Sequence, residues 1–210
     1  MKLYYSPGAC SLSPHIVARE AGLPFELKKV DNKNKTVEGG GDYWKINGRG
    51  YVPALELDSG QILTEGPAIV QYLADQKPES GLAPKNGTIE RYRVQEWLNF
   101  ITSEIHKQFT PLFKPNTPED YKPIAKANIE NRFDWLDKQL AGKDYLTGKT
   151  FTVADAYLFV VLNWTKFKDI DLNRWSNLAA FHKRVASRPK VKEALQAEGL
   201  MPKEGAAPAR

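Results

Sequence analysis

The 210-residue chain is 41% hydrophobic and 26% charged, with a formal net charge of +5. Its apolar runs are short, so we expect no transmembrane helix, and nothing near Met1 is typical of a secretory signal. Lysine and arginine alternate with acidic residues instead of forming blocks, so we also expect no nucleic-acid binding. One cysteine excludes an internal disulfide and suits a cytoplasmic, reducing compartment.

The first part of the chain alternates strand and helix patterns. Predicted strands span residues 2–5, 24–30, 54–58 and 61–65. A helix over Ser11–Ala21 separates the first two strands, which predicts a parallel βαβ unit. A polar segment with a short helix near Asp42–Ile46 follows, and Gly66-Pro67 begins another helix after the last strand. The order βαβ, short helix, ββα predicts an α/β domain over residues 1–77.

Only helical patterns follow a segment rich in proline, glycine and serine at residues 78–88, which we interpret as an interdomain linker. Predicted helices span residues 91–109, 120–140, 153–164, 178–185 and 191–195. The expected fold class is therefore α/β plus all-α, with an all-helical C-terminal domain over residues 89–200. Residues 201–210 are predicted to be a disordered tail.

The single cysteine, Cys10, lies directly before the first predicted helix. Free N–H groups and the helix dipole there favour an anion, so we expect the pKa of this thiol to be lowered from about 8.5. Ser13 stands where a dithiol redox protein would carry a second cysteine, so a reactive Cys10 would exchange with an external thiol. A buried structural cysteine is the alternative interpretation.

Two further motifs have backbone groups that could bind a peptide. If the Val52-Pro53 bond is cis, Val52 can present its N–H and C=O to an extended peptide. Gly66 begins a helix, where its N–H can bind a carboxylate, and Glu65 beside it could accept an ammonium group. Taken singly, the Val52-Pro53 pair is a weak signal that a trans proline ending a loop would also give, and an ordinary charged helix start is the better interpretation of Glu65-Gly66.

A polar stripe in the first helix of the second half suggests a lined cavity. Asn99, Ser103 and His106 are spaced i, i+4 and i+7, which places them on one face of an α-helix. A solvated face is the alternative. His106 and Lys107 could supply a proton or a positive field.

The remaining histidines and one polar pair are not assigned to the chemistry of a site. His15 follows Cys10 by five residues and could lie near it, whereas His182 stands among surface charges and should be solvated. Thr152 and Asp155 resemble a capping box that opens the apolar helix at 153–164, so we assign them to folding.

In combination, these motifs resemble a cytosolic glutathione S-transferase. The motifs are the Val-Pro pair, "TEG", "FTVADAYLF" and a late "SRPKVKEAL". "YYSPGACSLSPHI" and "LNFITSEIHKQFTPLF" are similar to the bacterial beta class. The resemblance covers Met1 to about Leu200 and implies a thioredoxin-like N-terminal domain and a homodimer.

The resemblance also implies a site. Cys10 and His106 would be catalytic, and Lys107 and Trp164 would border a pocket for a small hydrophobic electrophile. Glutathione would be the co-substrate, with no tightly bound cofactor and no metal. The implied contacts to glutathione are Cys10, Lys35, Val52, Pro53, Glu65, Gly66, Asn99, Ser103, Glu104, Ile105 and His106.

The implied activity is conjugation of the glutathione thiolate to hydrophobic electrophiles, as in detoxification. Cys10 adds a second activity, thiol–disulfide exchange or peroxide reduction through a glutathione mixed disulfide. The alternative is a non-catalytic, transferase-like protein that binds or regulates. Gly66 departs from the serine that many relatives carry, which removes a hydroxyl contact and leaves the backbone contact.

Overall fold

The computed structural model describes residues 1–202 of the chain. Its N-terminal part contains a five-stranded mixed sheet with the order β3-β2-β1-β4-β5. The strands are β1 Lys2–Tyr5, β2 Glu26–Asp31, β3 Thr36–Val37, β4 Ala54–Glu56 and β5 Ile62–Thr64. β1 pairs parallel with β2 and antiparallel with β4, which confirms the predicted βαβ unit. β3 escaped prediction because two residues in a polar, glycine-rich segment show no periodicity.

Helices cover one face of the sheet, and beyond the sheet domain the described chain consists of helices joined by loops. They are α1 Leu12–Glu20, α2 Gly66–Asp75, α3 Ile89–Phe100, α4 Lys107–Phe113, α5 Tyr121–Leu140, α6 Val153–Asn163, α7 Ser176–Ala186 and α8 Pro189–Ala197. Alternation along β1 places Leu3 toward the helices and Tyr4 toward a small cluster on the opposite face. This arrangement confirms the predicted fold class.

The single helix predicted over residues 91–109 is not continuous in the structure. α3 runs into a π-helical segment, Ile101–His106, and α4 then continues to Phe113 with Pro111 inside it. A π-helix has more residues per turn than an α-helix, so it changes which side chains share a face. The sequence gives no signal for this change, because the apolar spacing on both sides is α-helical.

One apolar cluster spans both parts of the chain. It contains Leu3 and Ile16 of the sheet domain together with Val94 and Leu158 of the helical part. α6 lies at its centre and is buried from Val153 to Leu162, as its sequence predicted. The helix begins at the predicted capping box, where Asp155 accepts the N–H of Thr152 at 2.8 Å.

The predicted linker carries structure of its own. It contains a 3₁₀ turn at Pro78–Ser80, and Leu82 is buried while its carbonyl accepts the N–H of Val153 at 2.9 Å. The domain boundaries at residues 77 and 88 stay a prediction. The tail predicted at 201–210 lies outside the described residues from 203 onward. No helix within residues 1–202 is long and apolar enough to cross a membrane.

Candidate functional site

Two adjoining cavities lie where the sheet domain meets α4 and α6. The inner cavity measures about 670 Å³ and is bounded by Pro53, Gly66 and Tyr157. The outer cavity measures about 850 Å³ and is bounded by Lys35 and Trp164. Both cavities share the same middle wall, formed by Cys10, Tyr51, Val52, His106, Thr110 and Lys114. Residues far apart in sequence thus meet around one continuous opening.

Cys10 lies on this shared wall, in the loop that leads into α1. Its Sγ–H donates to the carbonyl of Val52 at 3.3 Å. Burial raises the pKa of the thiol to about 11, and the nearby N–H groups of Cys10 and Ser11 only partly oppose this effect. The expected lowering of this pKa was therefore wrong, because desolvation outweighs the favourable dipoles at the start of the helix.

His106 faces the cavity with a partner that the sequence did not reveal. Its Nδ1 lies 2.5 Å from the hydroxyl of Tyr157, a residue of α6 that is 2% exposed. Burial lowers the pKa of His106 to about 4, and the charge of Lys107 adds to this. Burial also raises the pKa of Tyr157, so its hydroxyl stays protonated. Tyr157 can then donate to Nδ1, which leaves the proton of His106 on Nε2.

Tyr157 was not predicted as a site residue because it lies in an almost wholly apolar helix, where a tyrosine is normally a core residue. His106 was expected to supply a proton or a positive field. The lowered pKa makes it neutral at physiological pH, so Lys107 is the positive group on this segment.

Backbone groups line the inner cavity beside Cys10. The Val52-Pro53 bond is cis. Gly66 begins α2 directly across from it, since a Cβ on Gly66 would lie 4.0 Å from Pro53 Cγ. Glu65 adopts a φ of +70°, unusual for a residue with a side chain, and pairs with Arg49 at 2.5 Å. Arg49 was not identified from the sequence, because a lone arginine in a loop carries no signal.

Lys35 and Trp164 border the outer cavity. Lys35 has a φ of +56°, and its Nζ donates to the carbonyl of Gly50 at 2.7 Å. The indole N–H of Trp164 donates to the carbonyl of Gly8 at 2.9 Å, and its ring packs edge-on against His106 at 4.7 Å. Lys107, which was predicted to border the electrophile pocket together with Trp164, lines the inner cavity.

Four of the predicted contact residues lie outside both cavities. Asn99 and Ser103 are exposed, Glu104 pairs with Arg132 of α5 at 2.7 Å, and Ile105 is fully buried in the core. For Asn99 and Ser103, the π-helical segment accounts for this placement, because it removes the assumed α-helical alignment of these residues with His106.

His15 and His182 have partners that the sequence did not reveal. His15 is fully buried; its Nδ1 donates to Glu198 at 2.8 Å and its Nε2 accepts from Arg19 at 2.8 Å. His182 is half-buried and stacks on Phe159 with ring centroids 5.0 Å apart, so the expectation of a solvated residue was wrong. Each histidine has a contact with a distant segment of the chain.

The geometry defines a thioredoxin-like domain with a cysteine at the start of α1 and a cis proline across from it. The profile of the glutathione S-transferase N-terminal domain matches residues 8–76, and that of the C-terminal domain matches residues 103–198. These matches cover more than half of the chain. The chain therefore belongs to the glutathione S-transferase family.

Named relatives are similar to this chain over 95% of its length. Glutathione S-transferase GstA of Escherichia coli O157:H7 is 50% identical over 95% of this chain and 100% of its own length. A ternary complex of the bacterial transferase BphK superposes with a TM-score of 0.94, at 55% identity over 95% of this chain and 100% of that chain.

Two sphingomonad structures are similar in the same way. One is a glutathione S-transferase complexed with glutathione, and the other is a beta-class enzyme of Sphingomonas chungbukensis. Each has a TM-score of 0.93 and 50% identity and covers 96% of this chain and 100% of its own. These matches confirm the resemblance to the bacterial beta class.

Proposed function

We propose that the inner cavity binds glutathione as co-substrate and that the protein conjugates it to an electrophile held in the outer cavity. One observation carries this proposal: Cys10, the backbone of Val52 and the N-terminus of α2 meet around a single opening. A relative with 50% identity is complexed with glutathione, which supports the same ligand here. No tightly bound cofactor and no metal take part in this reaction.

Each group in the inner cavity suits one part of the tripeptide. Val52 offers backbone groups to the cysteinyl residue next to Pro53. Gly66 offers its N–H to the γ-glutamyl carboxylate at the start of α2, and Glu65 attracts the γ-glutamyl ammonium group. Lys35 at the outer cavity attracts the glycine carboxylate.

The charge states of the polar residues favour stabilisation of a glutathione thiolate. Cys10 is a protonated thiol and His106 is neutral, so each can donate a hydrogen bond toward the incoming sulfur. Lys107 adds a positive charge to the same cavity. A lowered thiol pKa in bound glutathione makes the nucleophile available at neutral pH.

Thiol–disulfide exchange through Cys10 is a second candidate activity. Its support is the position of the only cysteine on the wall shared by both cavities. The raised pKa leaves little thiolate at neutral pH, so we rank exchange and peroxide reduction below conjugation.

Two measurements test this assignment. Conjugation of glutathione to chlorodinitrobenzene is followed by absorbance, and intact mass after incubation with oxidised glutathione reports a mixed disulfide. We expect Cys10→Ala to lose the mixed disulfide and to keep part of the conjugation. Absence of conjugation by the unchanged protein would support the non-catalytic alternative, and loss of all glutathione affinity in Cys10→Ala would contradict the division of roles.

The homodimer and the cytoplasmic location remain proposals. A single chain holds Asn99, Ser103 and Glu104 outside both cavities, so a role for them in binding glutathione requires a second copy to bring them there. Light scattering tests whether the protein is a dimer, since a dimer has twice the mass of one chain. A monomer with full glutathione affinity would remove these residues from the site.

A further inference from the structure

We propose that the outer cavity selects an electrophile that is both aromatic and anionic, such as a chlorinated nitroaromatic carboxylate. This inference rests on the proposed function, because it names the substrate class of the same transferase site. Two features of the cavity carry it: an aromatic wall, and lysines that have no acidic partner.

The aromatic wall consists of Phe113, Trp164 and Phe167. Trp164 is held in place by its hydrogen bond to Gly8, and Phe113 packs edge-on against it with centroids 5.9 Å apart. Phe113 is 47% exposed and Phe167 is 63% exposed. Large exposed aromatic side chains that surround a cavity mark a binding surface for apolar, flat groups. An aromatic ring therefore fits this wall better than a flexible aliphatic chain does.

Positive charge surrounds the same opening. Five lysines lie at the two cavities or against their walls: Lys33, Lys35, Lys107, Lys114 and Lys168. Within residues 1–202, none of the five forms an ion pair, although other lysines of the chain do. The Nζ atom of Lys168 lies 4.1 Å from the centroid of Phe113, so one cation directly adjoins the aromatic wall. Among the described residues, no aspartate or glutamate lines the outer cavity.

In the described part of the chain, the nearby carboxylates form no ion pair with these five lysines. Asp31 adjoins the loop of Lys33, but its oxygens accept the N–H groups of Lys33 and Asn34. Glu65 lies in the inner cavity and pairs with Arg49. In the proposed complex, Lys35 would bind the glycine carboxylate of glutathione. Lys33 and Lys114 then remain for the electrophile, and they give the outer cavity a positive potential.

The chemistry explains why such cations matter for this substrate class. The glutathione thiolate, formed by loss of its proton to solvent, attacks the ring carbon that bears chlorine. A carbon–sulfur bond forms, the carbon–chlorine bond breaks, and its electron pair leaves as chloride. Negative charge spreads into the ring during the attack, and fixed cations stabilise it. A carboxylate on the ring would be repelled by the thiolate unless lysines compensate its charge.

The experiment compares a chlorodinitrobenzoate with the matching chlorodinitrobenzamide, in which a neutral amide replaces the carboxylate. For each compound, kcat/KM is divided by the rate constant of the uncatalysed reaction with glutathione, since the two substituents activate the ring unequally. We expect the enhancement to be at least about fivefold larger for the carboxylate at low salt. That preference should shrink at high ionic strength because these lysines are exposed to solvent.

Substitutions locate the preference. We expect Lys114→Gln to lower the ratio of carboxylate to amide about threefold or more, and Lys114→Arg to keep it, since the charge is retained. Lys138→Gln, an exposed lysine of α5 outside both cavities, should leave the ratio unchanged. Equal enhancement of both compounds, or preference for the amide, would overturn the inference and leave the transferase function standing. Conjugation of neither compound, with chlorodinitrobenzene still conjugated, would overturn the inference alone. Conjugation of none of the three compounds would overturn the proposed function as well.

Discussion

At the residue scale, Cys10 shows how burial sets the reactivity of a thiol. Its pKa is raised to about 11 because desolvation of the thiolate outweighs two nearby backbone N–H groups. In the unliganded protein, alkylation by iodoacetamide should therefore be slow at neutral pH and should accelerate steeply above about pH 9. Intact mass reports this rate directly, because Cys10 is the only cysteine. A half-maximal rate near pH 7 would instead show that the N–H groups at the start of α1 outweigh desolvation in setting the pKa of Cys10.

The pair formed by Tyr157 and His106 gives a second prediction at this scale. Tyr157→Phe removes the hydroxyl 2.5 Å from Nδ1, so the ring of His106 loses the partner that fixes its tautomer. We expect kcat for conjugation to fall about tenfold, with a smaller change in KM for glutathione.

A double-mutant cycle checks that the effect of Tyr157 is transmitted through His106. In a His106→Asn background, Tyr157→Phe should cause no further loss of kcat. An additive loss would show that the tyrosine acts through packing in α6 instead.

At the element scale, the segment after α8 holds the loop that contains Cys10. Glu198 is 6% exposed, and its two oxygens accept the N–H of Gly8 at 2.9 Å and the Nδ1–H of His15 at 2.8 Å. Trp164 bonds the carbonyl of the same Gly8. The loop is thus held from both the C-terminal segment and the end of α6.

Glu198→Ala should therefore destabilise the fold and loosen this loop. It leaves the buried donor of His15 and the half-buried N–H of Gly8 without an acceptor, which should lower the free energy of unfolding by about 2 to 4 kcal/mol. Urea denaturation measures the loss, with Glu193→Ala as control, because the Glu193 side chain is 41% exposed and pairs with Arg19 and Lys190. Equal losses in the two variants would contradict this role of Glu198.

At the scale of the whole molecule, two half-buried histidines, His106 and His182, link stability to pH. Burial lowers the pKa of His106 and of His182 to about 4 in the folded state. The unfolded chain, with a histidine pKa of about 6.5, therefore binds more protons than the folded chain between these values. Stability should be fully present above about pH 6.5 and should decline as the pH falls toward 4.

His182→Gln isolates one part of this decline without touching the cavities. The variant should lose less stability than the unchanged protein between pH 7 and pH 5, by at most about 2 kcal/mol. Urea denaturation at both pH values measures this difference. An identical decline in both proteins would mean that burial does not resist the protonation of His182.

Local chemistry was sufficient to predict the elements of this fold. Apolar periodicity located β1, α1, α2, α5 and α6, because each element buries one face or, for α6, every face. The sequence also identified Cys10, the Val52-Pro53 pair and Gly66 as candidate site residues. Each stands at the start of a helix or strand, and such starts are determined by the residues immediately around them.

Only the tertiary structure decided which side chains meet and what charge they carry. The π-helical segment separated Asn99 and Ser103 from His106, and burial reversed the expected shift in the pKa of Cys10. Tyr157 became part of the site because α6 passes behind the cavity, more than fifty residues from His106. Packing between distant segments fixes desolvation and contact, and neither quantity is encoded in a short stretch of sequence.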